Sequence, residues 1–166
     1  AIKDPKNYDA HAELMLAGSF SHNDTTGLGR LGMDGSCHGL ETQVSGLFDT
    51  AHGAGLSVMM PAMLNYIIKH GNEAQVARVA QFVKFATNVF DVEYDMQDPK
   101  GVALEGVKRF RAWLKEIGMP LTFKELGVKK EDMQKLLDHT CKKDGSVGHH
   151  IPLYYDDVKR IFDSVV

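Results

Sequence analysis

The run "GAGLSVMMPAMLNYIIKHG", residues 53–71, restricts the fold more than any other stretch of the chain. It has the length of a helix and is apolar around nearly its whole circumference, so no single partner surface can cover it. The solution is a central helix surrounded by others, with Pro61 inside it and Gly71 closing it. The surrounding segments have one apolar side each, as such neighbours require. Residues 72–90 repeat Val76, Val79, Ala80, Val83 and Ala86 at the helical period behind an Asn72 cap. Residues 102–118 carry a stripe of Leu104, Val107, Phe110, Trp113 and Leu114, ended by Gly118 and Pro120.

Asp4 and Pro5 form a helix start, and a helix over about 5–21 follows. "TFKELGV" reads as a short helical turn, "KEDMQKLLDHTCKK" as a helix with Met133, Leu136 and Leu137 inward, and "YYDDVKRIFDSVV" as the last helix. No segment reads as a β-strand and no internal repeat is present. The expected architecture is all-α, a single helical domain over 1–166 built as a bundle of about seven helices.

Lys and Arg number 19 against 22 Asp and Glu, a net charge of −3, and the two signs are interspersed. That balance gives no global attraction to nucleic acid or to an anionic membrane. The two cysteines, Cys37 and Cys141, form no disulfide framework and suit a reducing compartment. With no signal peptide and no run of about 18 apolar residues, the expectation is a soluble, cytoplasmic protein. The chain opens on Ala1 and enters a helix almost at once, which reads as a fragment of something longer.

Gly27, Gly29 and Gly32 match the G-x-G-x-x-G spacing of a dinucleotide-binding turn. That turn works only where a buried strand delivers the chain to it and a helix opens after it, so that backbone amides meet a pyrophosphate. Here a helix and the polar "SHNDTT" precede it, so these glycines read as a loop, and no cofactor-binding residue is assigned.

Of the eight histidines, His22 opens a loop rich in Gly, Asp and Thr. His11 and His139 lie among charged neighbours, His70 ends a helix where a cation suits the dipole, and His149 and His150 share a Gly-rich loop. His38 and His52 differ, because both lie in segments bound for the interior and both precede glycine. They stand fourteen positions apart, which on one unbroken helix would separate them by roughly 21 Å along the axis. A shared ion needs each imidazole nitrogen within about 2.1 Å. The chain must therefore bend between them, and "FDTAHG" offers the place: Asp49 ends one helix, Thr50 caps the next, and His52 in the first turn faces back toward His38. Two hydrogen-bonded core histidines satisfy the same pattern. Cys37 beside His38 could serve as a soft ligand or as a small buried residue.

The segment "HGLETQVSGLFDTAHGAGLSVMMPAMLNYI", and "LFDTAHGAGL" most specifically, resembles the metal-binding region of the iron-containing, or group III, alcohol dehydrogenases, especially their butanol dehydrogenase branch. The likeness extends from "AIKDPKNYDA" through "GVALEGVKRFRAWLKEIGMPLTFKELGV" to "YYDDVKRIFDSV". It implies the helical C-terminal domain of a two-part subunit whose N-terminal α/β domain, absent here, binds NAD or NADP. It also implies a metal, Fe²⁺ or Zn²⁺, held by one aspartate and three histidines, the last two corresponding to His38 and His52. The earlier two come from a D-x-x-x-H motif, and none lies wholly upstream of His38. Where the family often has a further histidine near the substrate, this chain has Thr42, so no catalytic residue is assigned.

The implied reaction is hydride transfer between a nicotinamide and a small alcohol or aldehyde, with these residues inactive alone. Assembly into a homo-oligomer is compatible with this reading. The alternative is a non-catalytic helical interaction or structural domain with core histidines.

Overall fold

In a computed structural model, residues 1–29, 32–71 and 79–166 are described. Their contacts divide the chain into two compact units, 1–34 and 35–166.

The first unit contains helix α1, Tyr8–His22, and a 3₁₀ turn at Thr25–Gly27. The cap of α1 is Asn7, whose side chain accepts the Ala10 N–H at 2.9 Å, and not Asp4, as the sequence suggested. Asp4 instead takes the Lys6 N–H at 3.1 Å in the turn before. Both residue types cap well, and the register one turn later prevails. Gly27 closes the 3₁₀ turn behind a helix, with no strand before it among the described residues.

The second unit holds α2 (Ser36–Phe48), α3 (His52–His70), α4 (Val79–Phe90), α5 (Pro99–Glu116), α6 (Met133–Thr140) and α7 (Tyr155–Asp163). With α1 this gives seven α-helices among the described residues, the all-α architecture expected. The proposed Asn72 cap and Val76 lie outside the described residues.

α3 is the central helix, burying Val58, Met59, Ala62, Ile67 and Ile68 among others, with Pro61 in its interior. It packs against α2, α5 and α7, and α4 lies along α5. The α4–α5 approach is close at Gly106, where a Cβ would stand 2.7 Å from the Cα of Ala86. That approach sets which side of α5 is buried: Val102, Ala103, Val107 and Leu114. Trp113, expected in the apolar stripe, is instead 47% exposed and stacks on Phe110 with 6.2 Å between ring centres.

The other departure is a small antiparallel hairpin, β1 (Ser146–Val147) and β2 (Leu153–Tyr154), in a segment that showed no strand. Two residues per strand are too few to display alternation in a sequence. Val147 packs on Gly39 of α2, so the hairpin braces the start of that helix. Among the described residues, no helix is long and apolar enough to cross a membrane.

Candidate metal centre

α2 and α3 are joined by only three residues, 49–51, and the reversal between them is made at Asp49. Its backbone adopts φ 52° and ψ 41°, a left-handed conformation, while its N–H bonds the Ser45 carbonyl at 3.0 Å. Asp and Asn tolerate this region better than other residues with a Cβ, because their short polar side chains bond locally. The bend falls where the sequence placed it. Thr50, however, is not the cap: Ala51 holds that position, and the Thr50 hydroxyl is buried without a hydrogen-bond partner among the described residues. The residue simply lies one position too early.

This bend turns α3 back along α2 and brings the two histidine rings to a centroid separation of 5.2 Å, with planes inclined at 47°. Two imidazoles that bind one tetrahedral ion through nitrogens about 2.1 Å away have ring centres roughly 5 Å apart. The pair therefore fits a divalent ion in donor type and in separation. It supplies two donors. Among the described residues, no group of three His, Cys, Asp or Glu side chains is arranged to hold a metal.

The remaining histidines are elsewhere. His11 bonds the Pro5 carbonyl at 3.0 Å, and His22 bonds the Ser21 hydroxyl at 2.6 Å. The His70 ring lies 5.4 Å from that of Tyr66, tilted by 42°, and with Lys69 and Arg160 it lines a cavity of about 390 Å³ at the C-terminal end of α3. His149 is exposed and His150 half-buried in the turn of the β-hairpin. Cys37 is half-buried, and burial, with Glu41 nearby, pushes its thiol up to about 12. These surroundings are those of a small packed residue.

The residue that sequence reasoning missed is Glu41. It lies one turn beyond His38 on α2 and is 0% exposed. One carboxylate oxygen, Oε2, lies against Nδ1 of His52 and has no hydrogen-bond partner among the described residues; the other, Oε1, accepts the Ser45 hydroxyl. Space for the carboxylate comes from Gly55 on α3, where a Cβ would lie 2.7 Å from the Glu41 carboxyl carbon. The signal was present in "HGAG", whose second glycine removes side-chain bulk from the face of α3 turned toward α2. Gly55→Ala is expected to destabilise the fold by about 1–3 kcal/mol through overpacking against a buried carboxylate. Urea denaturation checks this, with Gly53→Ala as the neutral comparison, because nothing lies within 4 Å of a Cβ there.

Thr42 also has a defined role. Its hydroxyl donates to the carbonyl of His38 at 2.6 Å, one turn back on α2. In this arrangement the hydroxyl proton points to the helix backbone.

Comparison with known proteins gives a consistent result. The whole chain, residues 1–166, matches the model of the Fe-containing alcohol dehydrogenase family, C-terminal. It is 28% identical over 163 residues to NADH-dependent butanol dehydrogenase A of Clostridium acetobutylicum, an alignment covering 98% of this chain and 40% of that protein. NADPH-dependent aldehyde reductase YqhD of Escherichia coli is 24% identical over 168 residues, with 99% and 40% covered. Among solved structures, NADH-dependent butanol dehydrogenase A from Thermotoga maritima aligns with a TM-score of 0.85 at 32% identity, over 99% of this chain and 41% of that one. The chain thus spans about 40% of the length of the curated relatives it matches. With the helical fold, the reversal at Asp49 and the paired imidazoles in place, the chain belongs to the iron-containing alcohol dehydrogenase family and corresponds to its C-terminal part.

Proposed function

We propose that the protein to which this chain belongs interconverts small alcohols and aldehydes by hydride transfer with NAD or NADP, and that His38 and His52 supply part of the site for an Fe²⁺ or Zn²⁺ ion. The observation that carries the reading is the 5.2 Å approach of two imidazoles on consecutive helices. Imidazole suits either metal, so the donor set does not choose between them. When bound, such an ion polarises the substrate oxygen as a Lewis acid and stabilises alkoxide character.

The chain's own residues do the positioning. The left-handed turn at Asp49 fixes the angle between α2 and α3, and each helix carries one imidazole to the meeting point. Thr42, with its hydroxyl bonded to the His38 carbonyl, takes no part in acid or base work. Proton transfer falls to water or to a hydroxyl on the cofactor or substrate.

The test uses the full-length protein, stripped of metal and reconstituted anaerobically with Fe²⁺ or Zn²⁺, then supplied with NADH or NADPH and butanal. Steady oxidation of the nicotinamide, lost on chelation and restored by the ion, is expected. Turnover that survives complete metal removal would overturn the reading. The 166 residues alone contribute two donors, so the same assay on this chain is expected to give no steady turnover.

A further inference from the structure

We propose that Glu41 is a positioning residue for His52: it holds the imidazole through Nδ1 and so presents Nε2 toward the ion shared with His38. The inference rests on the metal-site reading above but is carried by different atoms. A carboxylate that is 0% exposed is rare unless its oxygens are matched, because removal of an ionised group from water is strongly unfavourable without partners. Glu41 has one hydrogen-bond partner and one close polar neighbour. Oε1 accepts the Ser45 hydroxyl from the next turn of α2, which leaves Oε2 directed at Nδ1 of His52 across the helix pair.

Among the described residues Oε2 has no hydrogen-bond partner as placed, while the His52 ring nitrogen lies against it. An ionised carboxylate only accepts, so the contact becomes a hydrogen bond when Nδ1 carries the hydrogen and the ring turns to align it with Oε2. The lone pair is then on Nε2, at the far side of the ring from Glu41. Carboxylates that take the second ring N–H of a ligating histidine fix its tautomer and orientation in this way.

Three further features show that the arrangement is built into the fold. Gly55 lacks the Cβ that would displace the carboxylate. Ser45 holds the second oxygen, so the carboxyl plane cannot rotate freely. Leu40 and Val44, on either side of Glu41 in sequence, are wholly buried and anchor this face of α2. The carboxylate itself is not placed as a ligand: it forms no three-donor group with the two imidazoles among the described residues.

Two variants of the full-length protein test the assignment. Glu41→Met preserves approximate volume and removes the acceptor, whereas Glu41→Gln keeps an acceptor without the charge. In the metal-free protein, side-chain ¹⁵N shifts report the tautomer of each histidine. The parent is expected to show His52 with its hydrogen on Nδ1, and Glu41→Met is expected to lose that preference while the His38 signals stay in place. Metal affinity, measured by competition with a chromophoric chelator, is expected to fall 10–100-fold in Glu41→Met, with Glu41→Gln between it and the parent.

The proposal is overturned if the metal-free parent carries the His52 hydrogen on Nε2, or if Glu41→Met binds metal as tightly as the parent. A loss as deep as that of His52→Ala would also overturn it, by making Glu41 a direct ligand. Should Glu41→Met fail to fold, the parent tautomer decides. If His52→Ala leaves affinity unchanged, the metal-site reading fails, while the tautomer still reports whether Glu41 orients the ring.

Discussion

His52→Ala in the full-length protein is expected to abolish tight binding of the divalent ion, with affinity falling by more than about 100-fold. That bound exceeds the loss expected when only a residue behind a ligand is removed. The side chain opens α3, its ring centre lies 5.2 Å from that of His38, and its Nδ1 lies against Glu41, with Nε2 on the far side of the ring. Alanine at the first position of a helix is well tolerated, so the fold should persist while the donor disappears. Elemental analysis after dialysis checks the outcome, and stoichiometric metal in the folded variant would refute the assignment. His38→Ala is expected to behave alike, since each residue supplies one of the two donors that this chain contributes.

The largest effect on stability is expected at Phe162. This residue is 1% exposed on α7 and meets Phe123 edge to face, with ring centres 5.4 Å apart. Backbone bonds surround the contact: the Phe123 N–H reaches the Val165 carbonyl at 2.8 Å, and the Val128 N–H reaches the Phe123 carbonyl at 3.0 Å. With the segment tied on both sides, the walls cannot collapse into the space left by a smaller residue. Phe162→Ala should therefore lower stability by about 3–5 kcal/mol, combining lost burial with a persistent cavity. The denaturant midpoint should fall at constant slope. Trp113→Ala removes a larger side chain, yet it should have much the smaller effect because Trp113 is 47% exposed.

That contrast marks how far the sequence determines the outcome by inspection. The central position of α3 was legible, because a helix apolar on nearly every side has no other stable location. The bend was legible too, since the chain has to reverse between His38 and His52 if they are to meet, and Asp49 can adopt the conformation required. The buried side of α5 was not. Its stripe of large residues pointed to Trp113, but the face is set by how closely Gly106 approaches Ala86 on another helix.

Glu41 was hidden for the same reason. In "HGLETQ" it reads as a solvated acidic residue, and its burial depends on the missing side chain of Gly55, on the helix after the bend. Local periodicity records what each helix offers, not which small residue lets two helices approach. Thr50 and Asp4 were errors of register by one position and by one turn, where several residues share the same capping chemistry.

The central claim is that the reversal at Asp49 delivers two imidazoles to one ion. A crystal of the metal-loaded full-length protein, with anomalous data collected at the absorption edge of the ion, tests it most directly. A single peak about 2.1 Å from one ring nitrogen of His38 and from one of His52 is predicted. A peak bonded to neither ring, or to only one of them with the other turned away, would contradict it.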